Sequence, residues 1–380
     1  MKIQPFELEN WLNPACDSEK NRYYLGGSCV LPMTVEELFE VTGQNLDDFL
    51  EELKKMNLGY PRFEGTPRTT KALSKLYKNV KPEEIILVHG GTGANSTICY
   101  ALLEPTDNVI SIMPNYQQFI SIPESIGCEI RSVWLKPEAG YKLNLDEVRA
   151  AADQNTKAIM FTNPNNPTGS LLTEDEMKEL IEIARSVDTW IFCDEMYRGL
   201  GEGWMPSFAD MYEKAIVTAS SSKIYSMAGT RVGWIICHDP ETSFTLRNWR
   251  SYDSICGGVF DEWIFAIALE NVDKIFARSR AIVNANKAVI DKWIEKNPYL
   301  HQYADSYSTT YLVHYDLDVD AEKFCDDLLD QKGVLVCHGN CFNIPHTFRI
   351  TLSHAHELET GLALIDEYID ELVAAGKALK

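Results

Sequence analysis

Ser220-Ser221-Ser222-Lys223, followed eight residues later by Arg231 in Gly229-Thr230-Arg231-Val232-Gly233-Trp234, is the stretch on which the reading of this chain turns. A lysine amine among hydroxyls suits imine formation beside a bound phosphate. Ser220, Ser222 and Arg231 offer hydroxyl and guanidinium donors to such an anion. By itself the run also describes a solvated loop, so its meaning comes from what precedes it.

Toward the N-terminus, Thr189-Trp190-Ile191-Phe192-Cys193-Asp194 is an apolar run ending in a carboxylate. That is the pattern of a parallel strand covered on both faces. Tyr197 follows three residues later. Ala158 to Thr162 reads as another strand, running into Asn163-Pro164-Asn165-Asn166-Pro167-Thr168-Gly169, a rigid turn with Asn166 between prolines. Ile85 to Val88 enters His89-Gly90-Gly91-Thr92-Gly93-Ala94-Asn95-Ser96, a glycine-rich turn opening an apolar helix from Ile98 to Leu103. Backbone amides at such a start favour a phosphate. Each piece alone is ordinary structure. In this order they supply a phosphate cradle, a hydrogen-bonding pair and a carboxylate for an aromatic ring, and an imine lysine.

Strands are expected at 84–88, 108–112, 128–134, 157–162, 189–194, 214–219 and 231–237, alternating with helices. Alternation argues for an α/β protein with an open, mostly parallel sheet covered by helices on both faces. Thr34-Val35-Glu36-Glu37 is a capping-box signal for a short helix, Thr173-Glu174-Asp175-Glu176 caps a helix between two strands, and Thr66-Pro67 starts another helix. After about residue 260 the pattern changes to one long helical stretch, Asp261 to about Asn297. Short strands follow around Thr310–His314, Gly333–Cys337 and Thr347–Thr351, with a final helix over Glu357–Ala375. This is an α+β unit.

With 380 residues the chain can bury a large core, and 45% hydrophobic with 24% charged residues is ordinary for a globular protein. The net charge of −21 argues against nucleic-acid binding, which needs a basic surface. No apolar stretch approaches the roughly 18 residues that span a bilayer, and the start, Met1 to Glu7, lacks an apolar signal core. Ten scattered cysteines, several inside apolar patterns (Cys99, Cys193, Cys237), read as buried reduced thiols. A cytoplasmic protein is expected. Cys337-His338-Gly339-Asn340-Cys341 lacks a second ligand pair, so no metal is expected.

The set Tyr60-Pro61, Gly93-Ala94-Asn95, Pro114-Asn115-Tyr116, Asn166-Pro167-Thr168-Gly169, Asp194-Glu195-Met196-Tyr197, Ser220 to Lys223, Arg231 and Phe348-Arg349-Ile350 resembles the fold type I pyridoxal-phosphate enzymes. Within them it resembles the class I/II aminotransferases related to aspartate aminotransferase. The resemblance implies a large cofactor domain over 45–260, with residues 1–44 and 261–380 forming a smaller domain. It implies that Lys223 carries pyridoxal 5'-phosphate as a Schiff base and, once freed, moves the α-proton. Asp194 would face the ring nitrogen, Asn166 and Tyr197 the phenolic oxygen, and Tyr116 the ring face. Gly93, Ala94, Asn95, Ser220, Ser222 and Arg231 would hold the phosphate, joined by Tyr60 from a neighbouring subunit. The expected unit is therefore a homodimer with shared sites. Arg349 would clamp the substrate α-carboxylate, and Gly27, in Tyr24-Leu25-Gly26-Gly27-Ser28, would belong to a strip closing over the substrate.

The implied reaction moves an amino group from an L-amino acid to a 2-oxo acid through ketimine chemistry. A carbon–sulfur β-lyase or an amino-acid cyclase of the same fold would share every residue through α-proton removal. Tyr197 stands where some related β-lyases have histidine, which favours transamination. A non-catalytic pyridoxal-phosphate binder or a regulatory protein would not require Arg349, and the regulatory relatives carry an added DNA-binding segment. A second substrate carboxylate would call for a further arginine, such as Arg22, Arg62 or Arg68; surface positions are the default for all three.

Overall fold

A computed structural model describes residues 2–201, 205–353 and 355–379. Its centre is a seven-stranded sheet. Across it lie Ile85–His89, Val232–Cys237, Ala215–Ser220, Trp190–Asp194, Thr156–Thr162, Asn108–Met113 and Glu129–Trp134. All neighbours run parallel except Val232–Cys237, which is antiparallel to both of its own. All seven expected strands are present, within a residue or so of the expected ends.

Period-two geometry sorts the strand side chains onto two faces. Ile110, Ile159, Ile191, Val217 and Trp234 face one apolar core, shared with Met177, Leu180 and Ile181 of the helix Glu174–Ser186. Val109, Met160, Phe192, Ile216 and Ile235 face the other, packed on Ile98 and Cys99 of the helix Gly90–Leu102 and on Phe119 of the helix Gln118–Ile126. Burial on both faces explains why these strands read as apolar runs rather than alternations. At one edge, Glu129–Trp134 is largely uncovered and carries Glu129 and Arg131, charges that discourage pairing with another chain.

The C-terminal region forms a four-stranded antiparallel sheet in the order Cys337–His338, Thr347–Thr351, Thr310–Tyr315, Leu300–His301. Phe348 and Ile350 enter the core, so alternation turns Arg349 to the opposite face. The two-residue strand Tyr23–Tyr24 pairs in parallel with Val334–Leu335.

Three local expectations need correction. The expected single helix from Asp261 to Asn297 is two, Val259–Glu270 and Val272–Lys296. Between them Asn271 leaves helical geometry while its side chain donates to the Ile267 carbonyl (3.0 Å); no glycine or proline marks the break. Thr34 caps its helix by accepting from the Glu37 amide (3.1 Å), but the Glu37 carboxylate reaches Arg278 (2.6 Å) instead of closing a capping box. The glycine-rich helix starts at Gly90, eight residues before Ile98.

Candidate active site

Six of the seven strands run the same way and bring their carboxyl ends to one side of the sheet, where open α/β sheets bind ligands. Thr162, Asp194 and Ser220 are each the last residue of a strand. Because Val232–Cys237 runs the other way, its start falls on the same side and delivers Arg231 there. A cavity of about 480 Å³ opens at this edge and takes in Asn95, Tyr116, Asn166, Asp194, Tyr197, Ser220, Ser222, Lys223, Arg231 and Arg349, ten of the expected site residues.

Asp194 is 4% exposed. It accepts from the Met196 amide and from Asn95 Nδ2, each at 2.9 Å, and Thr218 fixes Asn95 by donating to its Oδ1 (2.7 Å). Burial raises the carboxyl to about 6, against the two hydrogen bonds that favour its charge. Lys223 follows the strand Ala215–Ser220, and its Nζ donates to Ser28 Oγ at 2.7 Å with Cys29 Sγ at 3.9 Å. The Lys223 carbonyl accepts from the Val30 amide (3.0 Å), which ties the N-terminal segment to the lysine loop. Burial disfavours the ammonium, but Cys29 and Tyr197 beside it favour it and set the net direction upward. Burial raises the Tyr197 phenol, which lines the cavity without a hydrogen-bond partner among the described residues.

Starting the helix at Gly90 moves the open amides. The first helical N–H groups have no partner within a helix; Gly90 spends its own on the Arg231 carbonyl (2.7 Å), leaving Gly91 and Thr92, and both line the cavity. Gly93 and Ala94, expected in the cradle, lie inside the helix and are not among the lining residues. Asn95 reaches the cavity, but its side chain serves Asp194. Arg231 donates to the Ala228 carbonyl (3.0 Å) and forms no ion pair among the described residues. A guanidinium without a counter-charge, two open amides, and the hydroxyl residues Ser220 and Ser222 make one end of the cavity an anion site.

Arg349 is 1% exposed. Nη1 donates to Asn166 Oδ1 (3.0 Å) and Nη2 to the Gly26 carbonyl (2.9 Å), while Nε has no partner. No carboxylate pairs with it among the described residues. Gly27 is buried beside Tyr24 and does not line the cavity; its neighbours Ser28 and Cys29 do. Tyr60 is 78% exposed, against Phe63, and outside the cavity of its own chain.

Several lining residues carry no sequence signal that singles them out. Ser28 and Cys29 stand almost 200 residues from Lys223. The helix Glu7–Cys16 and the residue before it supply Phe6, Leu8, Glu9 and Leu12. Gly90 could have been read from its place between a strand and a helix, where a left-handed turn is common; its φ is +64°. Among the described residues no cluster of His, Cys, Asp and Glu could hold a metal ion. All ten cysteines are free, and only Cys16 and Cys29 are not fully buried.

The donor set fits pyridoxal phosphate: an anion site at one end, a buried carboxylate for a ring nitrogen, and a lysine in the same cavity. Known proteins agree. The model of the family "Aminotransferase class I and II" matches residues 24–365. A PLP-dependent aminotransferase of Streptococcus suis 89-1591 superposes with a TM-score of 0.94 at 36% identity, covering 98% of this chain and 99% of that one. The probable aminotransferase TAT2 of Arabidopsis thaliana is 25% identical over 319 residues, 78% of this chain and 77% of its own. The S-alkyl-thiohydroximate lyase SUR1 of the same plant is 28% identical over 300 residues, 74% of this chain and 65% of its own. With a family model spanning nearly all of its length and an anion site, carboxylate and lysine on one sheet edge, this chain belongs to the class I and II aminotransferases, and its cofactor is pyridoxal phosphate.

Proposed function

We propose that the protein is an aminotransferase moving the amino group of an L-amino acid to a 2-oxo acid. The observation that carries this reading is Arg349. A wholly buried guanidinium with no carboxylate partner is costly, and here it borders the cavity that also holds Lys223 and Asp194. An α-carboxylate would supply the missing charge.

Pyridoxal phosphate, when bound, supplies the electron sink for the carbanion left by α-proton loss. The chain's own residues do the rest. Lys223 Nζ carries the cofactor and then serves as base, taking the proton from one carbon and returning it to another; such a base contributes about 10²–10⁴-fold. Asp194 retains the proton on the ring nitrogen. Asn166, whose Oδ1 is occupied by Arg349, keeps its amide N–H groups for the ring oxygen, with the Tyr197 hydroxyl as second donor. Arg349 and Asn166 orient the substrate carboxylate, and so the Cα–H bond, toward Lys223. Gly91, Thr92, Ser220, Ser222 and Arg231 hold the phosphate, and Tyr116 flanks the ring.

We further propose a cytoplasmic homodimer with shared sites. Support comes from exposed apolar side chains near Tyr60: Leu58 and Phe260 line one surface hollow, and Phe63 packs on Tyr60. A partner covering this face could receive the Tyr60 hydroxyl at its phosphate. The pairing of Tyr23–Tyr24 with Val334–Leu335 supports grouping residues 1–44 with 261–380 as the smaller domain.

The relative SUR1, a lyase, supports a second reading, elimination after the same proton removal. One measurement tests what the two readings share, and a second separates them. Borohydride reduction and peptide mapping should place the cofactor on Lys223; a label on another lysine sinks the assignment. Reacting the loaded protein with amino acids should release the matching 2-oxo acid and leave the amine on the cofactor. Release of pyruvate with ammonia would establish the lyase instead.

A further inference from the structure

The cavity has more wall than the cofactor and an α-carboxylate use. Its charged lining residues are Glu9, Asp194, Lys223, Arg231 and Arg349. Four have roles in the reading above; Glu9 has none. Around it the wall is apolar, built by Phe6, Leu8 and Leu12, with the Phe6 ring 5.0 Å from that of Tyr116.

Glu9 Oε1 accepts from the Tyr116 hydroxyl at 2.7 Å. Its second carboxylate oxygen has no hydrogen-bond partner, and no lysine, arginine or histidine pairs with it, among the described residues. The helix that bears it is held in place. Gln117 accepts from the Glu7 amide (2.9 Å) and donates to the Pro5 carbonyl (2.8 Å), and Trp11 donates to Asp326 (3.0 Å). Glu9 is therefore a carboxyl group held in place on a largely apolar wall.

The cations are all committed. Lys223, Arg231 and Arg349 are the basic residues of the lining. Arg68 is bidentate to Glu270 (2.7 and 2.6 Å), Arg22 bonds the Lys332 carbonyl (3.1 Å), and Arg62 is exposed. A substrate with a second carboxylate would meet Glu9 and find no cation in the cavity beyond the three that serve the cofactor and the α-carboxylate. A substrate with a distal cation would find an unpaired carboxylate oxygen in a site where low polarity strengthens the pair.

We propose that Glu9 selects the substrate side chain and that the cavity takes L-amino acids ending in a cationic nitrogen, an ammonium or a guanidinium. This rests on the aminotransferase reading and names its substrate class.

The test uses the cofactor-loaded protein and pairs of ligands alike in shape and different in charge: arginine with citrulline, lysine with 2-aminoheptanoate, ornithine with norleucine. Equilibrium binding by calorimetry and the single-turnover half-reaction are both measured, for the parent and for Glu9→Gln. Glutamine keeps an acceptor for Tyr116. In at least one pair the cationic member should be favoured about 10- to 100-fold, the worth of a hydrogen bond to a charged group. Glu9→Gln should erase that gap and leave the neutral member within a few-fold. Equal or undetectable binding within every pair overturns the proposal. So does a gap that survives Glu9→Gln, which would point to another residue. A Glu9→Gln variant that weakens both members alike overturns it too, because Glu9 would then only position Tyr116. Should cation binding depend on Glu9 while no amino acid undergoes the half-reaction, the aminotransferase reading falls and the side-chain selection stands.

Discussion

A Cβ on Gly90 would fall 2.5 Å from Nη2 of Arg231. Gly90 also has a φ of +64°, so two independent constraints hold the position to glycine. Gly90→Ala should cost about 1–2 kcal/mol of stability through the left-handed backbone alone. It should also displace the guanidinium and weaken cofactor binding about 10- to 100-fold. Fluorescence titration with pyridoxal phosphate, beside thermal melts, checks both; unchanged cofactor affinity would show that Arg231 does not serve the phosphate.

Asp194 predicts opposite effects with and without cofactor. In the bare protein burial raises its carboxyl from 3.8 to about 6. The folded chain then binds a proton that the unfolded chain has already lost, so this stability is complete below about pH 4 and gone above about pH 6. Above that, the buried charge costs on the order of 3 kcal/mol. Asp194→Asn should therefore raise the melting temperature of the cofactor-free protein at pH 7.5, with the difference shrinking toward pH 4. The variant amide can be accommodated, because Asn95 and the Thr218 hydroxyl can reverse their donor and acceptor roles. In the loaded protein the same change should slow α-proton removal by orders of magnitude. An Asp194→Asn protein that melts lower than the parent at every pH would refute the burial argument.

Sharing of the site between subunits can be tested by mixing. Lys223→Ala and Tyr60→Ala proteins should each have low activity. If Tyr60 serves the partner's phosphate, a hybrid dimer has one site with an intact lysine and an intact tyrosine. Unfolding and refolding the two together should then raise activity well above that of either alone. No rise, with hybrid dimers shown by mass, would place Tyr60 in its own subunit's site.

Arg349→Ala should lose roughly 2–5 kcal/mol in kcat/KM, about 30- to several-thousand-fold, with an amino acid but not with its decarboxylated amine. Arg349→Lys should recover part of it, since the charge remains and the fork does not. Far-ultraviolet dichroism of both variants guards against misfolding, because the Arg349 side chain also holds the Gly26 carbonyl and Asn166. Equal losses on amino acid and amine would make Arg349 a structural residue.

The seven central strands were legible because burial on both faces writes them as apolar runs, and strand-end residues such as Asp194 and Ser220 inherit their positions from those runs. Arg349 was legible from alternation with Phe348 and Ile350. The helix start was misplaced because whether an amide is open depends on backbone geometry at Gly90, which composition does not report. Asn271 was missed because apolar spacing continues across the break. Glu9, Ser28 and Cys29 were invisible for another reason. Their partners Tyr116 and Lys223 lie over a hundred residues away, and no local pattern marks a contact made only by the finished fold.

The parallel pair Tyr23–Tyr24 with Val334–Leu335 sets an order of events during synthesis. The earlier strand leaves the ribosome about 310 residues before its partner exists. At roughly 5–20 residues per second, that is a wait of about 15–60 s. Through that interval Tyr23–Tyr24 has no strand to pair with, while the central strands, all complete by Cys237, can already assemble and offer Tyr116 and Lys223 to Glu9 and Ser28. The nascent protein would thus hold Asp194, Lys223 and Arg231 in place before Val334–Leu335 and the strand bearing Arg349 exist. Cofactor added to chains truncated after about residue 260 should bind weakly and, without Arg349, give no preference for an amino acid over its decarboxylated amine.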